Sequence, residues 1–80
     1  MEILLFGIAK DIVGRSSFRF EEGDEVPKSV LELKQKLNNS FPDFGKLSSL
    51  AIAVNSEYAQ DGKSLQRGDE IAVIPPVSGG

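Results

Sequence analysis

Eighty residues with no cysteine, no histidine and no tryptophan exclude most side-chain catalysis before any motif is read. Without thiol or imidazole there is no disulfide, no ordinary zinc site and no Ser-His or Cys-His nucleophile pair. The length allows one domain, the 40% hydrophobic and 26% charged content is that of a globular chain, and a net charge of −3 disfavours attachment to nucleic acid or anionic lipid.

The chain opens on an apolar run at residues 2–8, with Ile3 and Leu5 on one alternating side and Leu4, Phe6 and Ile8 on the other. Apolarity on both sides predicts an interior strand covered on both faces. The run is far shorter than the roughly 20 residues of a spanning helix. Glu2 precedes it where a signal peptide carries positive charge, and Lys10 and Asp11 close it. The expectation is a cytoplasmic protein with no membrane partner. Residues 9–13 then predict a short helical turn, ended by Gly14 in a left-handed conformation. Phe18, Arg19, Phe20 and Glu21 alternate apolar with charged, the pattern of a half-exposed strand. Gly23, among Glu21, Glu22, Asp24 and Glu25, reads as the next turn.

Pro27 fits the first turn of a helix, where a missing amide donor costs nothing. Val30, Leu33, Leu37 and Phe41 form one narrow stripe of that helix. Leu31 flanks the stripe, Glu32, Gln35 and Lys36 face water, and Asn38, Asn39 and Pro42 end the element. Residues 50–54 predict a strand with Leu50, Ile52 and Val54 on one face and Ala51 and Ala53 on the other. Asn55-Ser56 turns the chain into a short segment at residues 57–59, and Asp61-Gly62 turns it again. Gly68, Asp69 and Glu70 feed a last apolar strand at residues 71–74, which Pro75 and Pro76 stop.

Strand, short helix, strand, long helix and two or three further strands make an α+β chain, in which one amphipathic helix covers a mixed sheet. Pairing the two most apolar strands, the first and the last, in parallel at the centre yields the ubiquitin-like β-grasp arrangement. Its competitor is a small α+β sandwich with another strand order. The division expected is a β-grasp domain over residues 1–74 and an extended tail over residues 75–80.

Few side chains offer chemistry. The acidic cluster at residues 21–25 lacks the ligand spacing of a calcium loop and reads as a solvated turn before a helix N-terminus. Asp69 and Glu70, being adjacent on an extended segment, point to opposite sides and cannot flank one substrate. The eight glycines form no phosphate loop, and Phe18 and Phe20 have no basic groove beside them for stacked bases. No metal and no bound cofactor are expected. The tail Pro75-Pro76-Val77-Ser78-Gly79-Gly80 remains. Its prolines favour a stiff, extended base, and six residues reach about 20 Å. Gly79 and Gly80 carry no Cβ and can thread a passage too narrow for other residues. The carboxylate of Gly80, with a reference pKa of about 3.3–3.7, is ionised and can attack the α-phosphate of ATP in another enzyme's site. A frayed terminus is the bland alternative.

Residues 68–80 resemble the signature ending of the small-subunit family of molybdopterin synthase. Ala53-Val54-Asn55 resembles that family's middle strand, and Phe6 with the turn at residues 9–14 resembles its opening. Where relatives often carry Arg-Glu in that turn, this chain has Lys10-Asp11, with the charges kept. The resemblance implies a β-grasp sulfur carrier of molybdenum cofactor biosynthesis. Gly80 would be adenylated by an activating enzyme similar to ubiquitin-activating enzymes, which consumes the ATP, and a sulfur donor would convert the adenylate to a thiocarboxylate. The tail, Pro75, Pro76, Val77, Ser78, Gly79 and Gly80, would insert into the large synthase subunit of a heterotetramer. That subunit, which supplies most of the active-site pocket, would receive the sulfur on cyclic pyranopterin monophosphate. Phe6 and Ile74, with Phe18 behind them, are candidates for the docking face. The alternatives are a thiamine-type or tRNA-thiolation carrier using the same tail, a plain β-grasp interaction module, and a protein-conjugation tag.

Overall fold

The computed structural model describes residues 1–21, 23, 25–46 and 50–75. Strands β1 Glu2–Leu5, β2 Ser17–Arg19, β3 Ala51–Val54, β4 Glu57–Ala59 and β5 Glu70–Ile74 form one mixed sheet in the order β2-β1-β5-β3-β4. Helix α1 Ile8–Val13 follows β1, and α2 Val30–Ser40 joins β2 to β3. β1 and β5 run parallel at the centre, with Ile3 opposite Ile71 and Leu5 opposite Val73. The other three pairings are antiparallel. This is the expected β-grasp, with the first and last strands side by side.

The alternation of each strand decides which face is covered. Ile3, Leu5, Ile52, Val54, Ile71 and Val73 turn to one side, where Val30, Leu33 and Leu37 of α2 pack on them. Ile3, Val30, Leu33, Ile52, Ile71 and Val73 are almost wholly removed from water, each contributing about 1.5–3 kcal/mol of hydrophobic stabilisation. No polar side chain is buried among the described residues.

Several boundaries differ from the sequence expectation. β1 ends at Leu5 instead of running to residue 8, because Gly7 (φ 55°, ψ −133°) turns the chain. These are angles of the first central position of a type II′ turn, which glycine supplies. The Ala9 amide donates to the Phe6 carbonyl across that turn (3.1 Å), and Ile8 begins α1. The apolarity of Phe6 and Ile8 therefore does not signal burial: each is 49% exposed. Gly14 closes α1 in the left-handed region (φ 88°) as expected. β2 spans only Ser17–Arg19. Phe20 lies past its end, its amide donating to the Met1 carbonyl (3.2 Å) and its ring packing edge-on against Phe18 (5.7 Å).

Pro27 precedes α2 and is not part of its first turn. The helix starts at Val30 behind an extended Ser29, whose hydroxyl accepts from the Glu32 amide (3.2 Å). Its other leading amides find tertiary acceptors, Val30 donating to Lys63 O and Leu31 to Asp61 O, both at 3.0 Å. A helix start leaves four amides without intrahelical acceptors, and here a neighbouring loop takes up two of them. The Lys34 ammonium reaches the same loop through Asp61 (2.7 Å). At the other end, Asn38 and Asn39 stay inside the helix, which runs to Ser40. A 3-10 helix at Pro42–Lys46 comes next and buries Phe44 beside Phe41, with ring centroids 6.3 Å apart.

The β3–β4 hairpin turns through Asn55 (φ 51°) and Ser56 (φ 72°). Positive φ at both central residues is the type I′ geometry that suits the strand twist. Asparagine tolerates it, whereas serine is strained there. Ser56→Gly is expected to raise stability by about 0.5–1 kcal/mol, or about 3–6 °C in Tm. Calorimetry measures this directly, and a fall in Tm would contradict the strain.

Candidate functional site

The site begins where the central strand ends. β5 is flanked by β1 and β3 along its length and finishes at Ile74, and Pro75 is the last described residue. Pro76, Val77, Ser78, Gly79 and Gly80, the other tail positions expected to carry function, lie outside the described residues. The root of the tail thus leaves from the middle of the sheet, not from a loose edge.

The face away from α2 surrounds that root. Residues opposite one another in adjacent strands share a face, so the register places Leu4, Ala72, Ala53 and Tyr58 in one row across four strands. Ala51 lies opposite Ile74 in the next row, and Phe6 extends that row on the β1 side, its amide donating to the Val73 carbonyl (3.3 Å). Alanine at three of these positions keeps the sheet surface low, while Phe6 (49% exposed) and Tyr58 (76% exposed) stand out from it. An apolar face with projecting aromatics, free of helix cover, is the usual character of a protein-docking surface. The two expected docking residues, Phe6 and Ile74, fall together beside the tail root. Phe18 does not join them: it lies opposite the buried Ile3 and packs against the core from the α2 side. Leu4, Ala51, Ala53, Ala72 and Tyr58 were not named from the sequence as docking residues. Their signal was the strand alternation, which acquires meaning only when strand order is known.

A separate hydrogen-bonded cluster of polar side chains forms around Asp69. Asp69, at the opposite end of β5 from the tail, accepts from the Gln66 amide (2.8 Å) and from the Asn55 side-chain amide (3.0 Å). Asn55 in turn accepts from the Glu70 amide (3.0 Å) and donates its own amide to the Glu70 carbonyl (2.8 Å). The clasp ties the β3–β4 hairpin to the start of β5. The Gln66 amide first, then the Asn55 side chain, hold the Asp69 carboxyl below the ordinary carboxylate value, since both bonds favour the charged form. A depressed folded pKa contributes stability that is fully present above the unfolded pKa and is lost as pH falls through the folded value. Asp69→Asn is therefore expected to be less stable than the parent at neutral pH, with the difference shrinking as pH drops below about 4. Denaturant titrations at several pH values check this, and a difference independent of pH would refute the clasp.

Among the described residues, no group of three His, Cys, Asp or Glu could hold a metal ion, and no helix is long and apolar enough to cross a membrane. The groove between β2 and α2, lined by Phe18, Phe20, Leu33, Leu37 and Phe41 with Lys36 and Ser40, holds about 100 Å³, below the about 300–1,000 Å³ of small-molecule sites. The roomier clefts beside Tyr58 (about 470 Å³) and Arg19 (about 390 Å³) are open to the surface.

Known proteins share this architecture and this sequence pattern. The model of the ThiS family matches residues 3–80. The chain is 34% identical to the molybdopterin synthase sulfur carrier subunit of Arabidopsis thaliana, covering all of this chain and 82% of the relative. It is 38% identical to the subunit of the same description from Caenorhabditis briggsae, covering all of this chain and 96% of that one. Among solved structures, SAMP1 from Haloferax volcanii superposes with a TM-score of 0.76 at 27% identity, over all of this chain and 98% of that one. A β-grasp sheet with its central strand leading into a Gly-Gly tail, matched along nearly the whole sequence, places the chain in the ThiS family.

Proposed function

We propose that this protein is the sulfur carrier subunit of a molybdopterin synthase and that its reactive group is the carboxyl of Gly80. The observation that carries the reading is the direct junction of Pro75-Pro76-Val77-Ser78-Gly79-Gly80 to the central strand of a β-grasp sheet. Relatives described as molybdopterin synthase sulfur carrier subunits, alike over the full length of the chain, support it. So does a composition without thiol or imidazole, which leaves a carrier no other group on which to hold sulfur.

The chemistry divides between the tail and its partners. In an activating enzyme that binds ATP, a carboxylate oxygen of Gly80 attacks the α-phosphate and pyrophosphate leaves. The acyl-adenylate is an electrophile at the Gly80 carbonyl carbon. A sulfur nucleophile adds there and AMP departs with the former carboxylate oxygen. With a persulfide as donor the product is an acyl disulfide, and a second thiol of the donor system attacks the donor's own sulfur, forming a disulfide there and releasing the thiocarboxylate. The large subunit then receives the tail, and the sulfur passes to cyclic pyranopterin monophosphate. The chain itself contributes a rigid root, a docking face around Phe6 and Ile74, and a tip slim enough to enter two different partner sites. It holds no cofactor, and the ATP is consumed on the activating enzyme.

Intact-mass analysis after incubation with ATP, an activating enzyme and a sulfur donor tests the reading. The expected product has one oxygen replaced by sulfur, localised to Gly80 by fragmentation. With the large subunit and the pterin precursor present, the mass should return to that of the carboxylate as dithiolene forms. Sulfur that loads but moves only to a thiazole precursor or to tRNA would reassign the pathway. Lysine-linked adducts without thiocarboxylate would favour a conjugation tag, and an unchanged mass would remove the carrier reading.

A further inference from the structure

The turn after β1 and the root of the tail are fitted to each other. In a parallel ladder with Leu5 opposite Val73, the Phe6 amide donates to the Val73 carbonyl, as observed at 3.3 Å. The next rung would run from the amide of residue 75 to the Phe6 carbonyl. Pro75 has no amide hydrogen, and the Phe6 carbonyl instead accepts from Ala9 across the Gly7 turn (3.1 Å). The same two residues meet in space. A Cβ built on Gly7 would lie 3.3 Å from Pro75 Cγ and 4.0 Å from Cδ. The first distance is closer than ordinary van der Waals contact, so the proline ring rests over the bare Cα of Gly7.

We infer that Gly7 is a positioning residue for the tail: the space left by its missing side chain seats the Pro75 ring, and this seat sets the direction in which the tail leaves the sheet. Two features make the direction matter. Pro75 is itself succeeded by a proline, which confines its backbone to extended conformations, so a change at the ring is passed on along the tail. The five residues beyond Pro75 can span up to about 17 Å, so a tilt of about 10° at the root displaces the tip by roughly 3 Å. Misplacement of a reacting group by about 1 Å can cost up to 100-fold in rate. The exposed Phe6 and Ile8 flank the seat in sequence, so a partner that grips this turn also grips the point from which the tail departs. The consequence for sulfur loading rests on the carrier reading above; the seat itself does not.

The absence of any other cysteine lets one nitroxide on Ser78→Cys report the tail direction through paramagnetic broadening of the domain amides. Gly7→Ala is expected to redistribute that broadening while the resonances of β3, β4 and α2 stay in place. An identical broadening map in folded Gly7→Ala would overturn the proposal, whether or not the protein carries sulfur. Pro75→Ala removes the ring from the other side, leaves Gly7 unstrained and is expected to alter the map as well; it keeps the test decisive should Gly7→Ala not fold. With the unlabelled chain and the activating enzyme, Gly7→Ala should lower kcat for adenylation about tenfold while its affinity for the enzyme changes less than twofold. The double variant Gly7→Ala, Pro75→Ala should be no slower than the slower single one. Multiplying losses would mean that Gly7 acts through turn strain alone and would defeat the seat. A parent chain that is never adenylated, yet shows the altered map in Gly7→Ala, would sink the carrier reading and leave the seat standing.

Discussion

Removal of Gly80 is expected to leave the folded domain unchanged and to abolish thiocarboxylate formation completely. Gly80 follows the last strand by six residues in sequence and the core is built from residues 3–73, so its loss should shift Tm by less than about 1 °C, as for other changes outside the core. The new terminus, the carboxyl of Gly79, would be drawn back by one residue, about 3.5 Å. In a site that must bring a carboxylate oxygen to the α-phosphate of ATP, such a gap exceeds what positioning tolerates. Docking should persist, because the face proposed to carry it is intact. Measured thiocarboxylate yield and synthase turnover equal to those of the parent would place the reactive group elsewhere.

Phe6→Asp is expected to give the reciprocal result. Phe6 is 49% exposed and packs outside the buried cluster, so an aspartate there should cost the fold less than about 1 kcal/mol. The same position is a projecting aromatic on an apolar face beside the tail. Loss of such an anchor typically costs about 2–4 kcal/mol of binding, which is roughly 30- to 1,000-fold in Kd. An added carboxylate facing an apolar partner surface makes the upper end the expected one. Titration calorimetry against the large subunit reads the loss, and thermal unfolding verifies that the chain is still folded. An unaltered Kd would move the docking face off Phe6. Taken with the Gly80 deletion, this separates the surface that finds the partner from the group that reacts inside it.

The fold was legible because its signals are local. The stripe of Val30, Leu33, Leu37 and Phe41 has helical spacing; the first three are buried in α2, while Phe41 stands just past the helix as its C-cap and is half-buried. The apolar strands at both ends of the domain pair as expected. The boundaries were less legible, each for a particular reason. Phe6 and Ile8 extend the apolar run of β1, but the run says nothing of the backbone angles at Gly7 that end it. Pro27 attracted the helix start because proline suits a first turn, although Ser29 with Glu32 three residues later is itself a capping sequence. The burial of Phe44 and Leu65 depends on which loops fold under α2, and no periodicity marks it.

The site divides in the same way. Composition alone establishes that the chain has no thiol or imidazole, which excludes most of the common side-chain nucleophile chemistry. The stiff, slim tail and the resemblance it carries are also properties of the linear sequence, because covalent order and side-chain identity need no folding to be read. Only the tertiary structure decided which residues surround the root of that tail. Strand order brings Leu4, Ala51, Ala53, Ala72 and Tyr58, scattered over 69 positions of sequence, onto one face with Phe6 and Ile74. It also sets Pro75 against Gly7, 68 residues apart. Such neighbours are fixed by hydrogen-bond register between distant segments, and register is a property of paired strands, not of either strand alone.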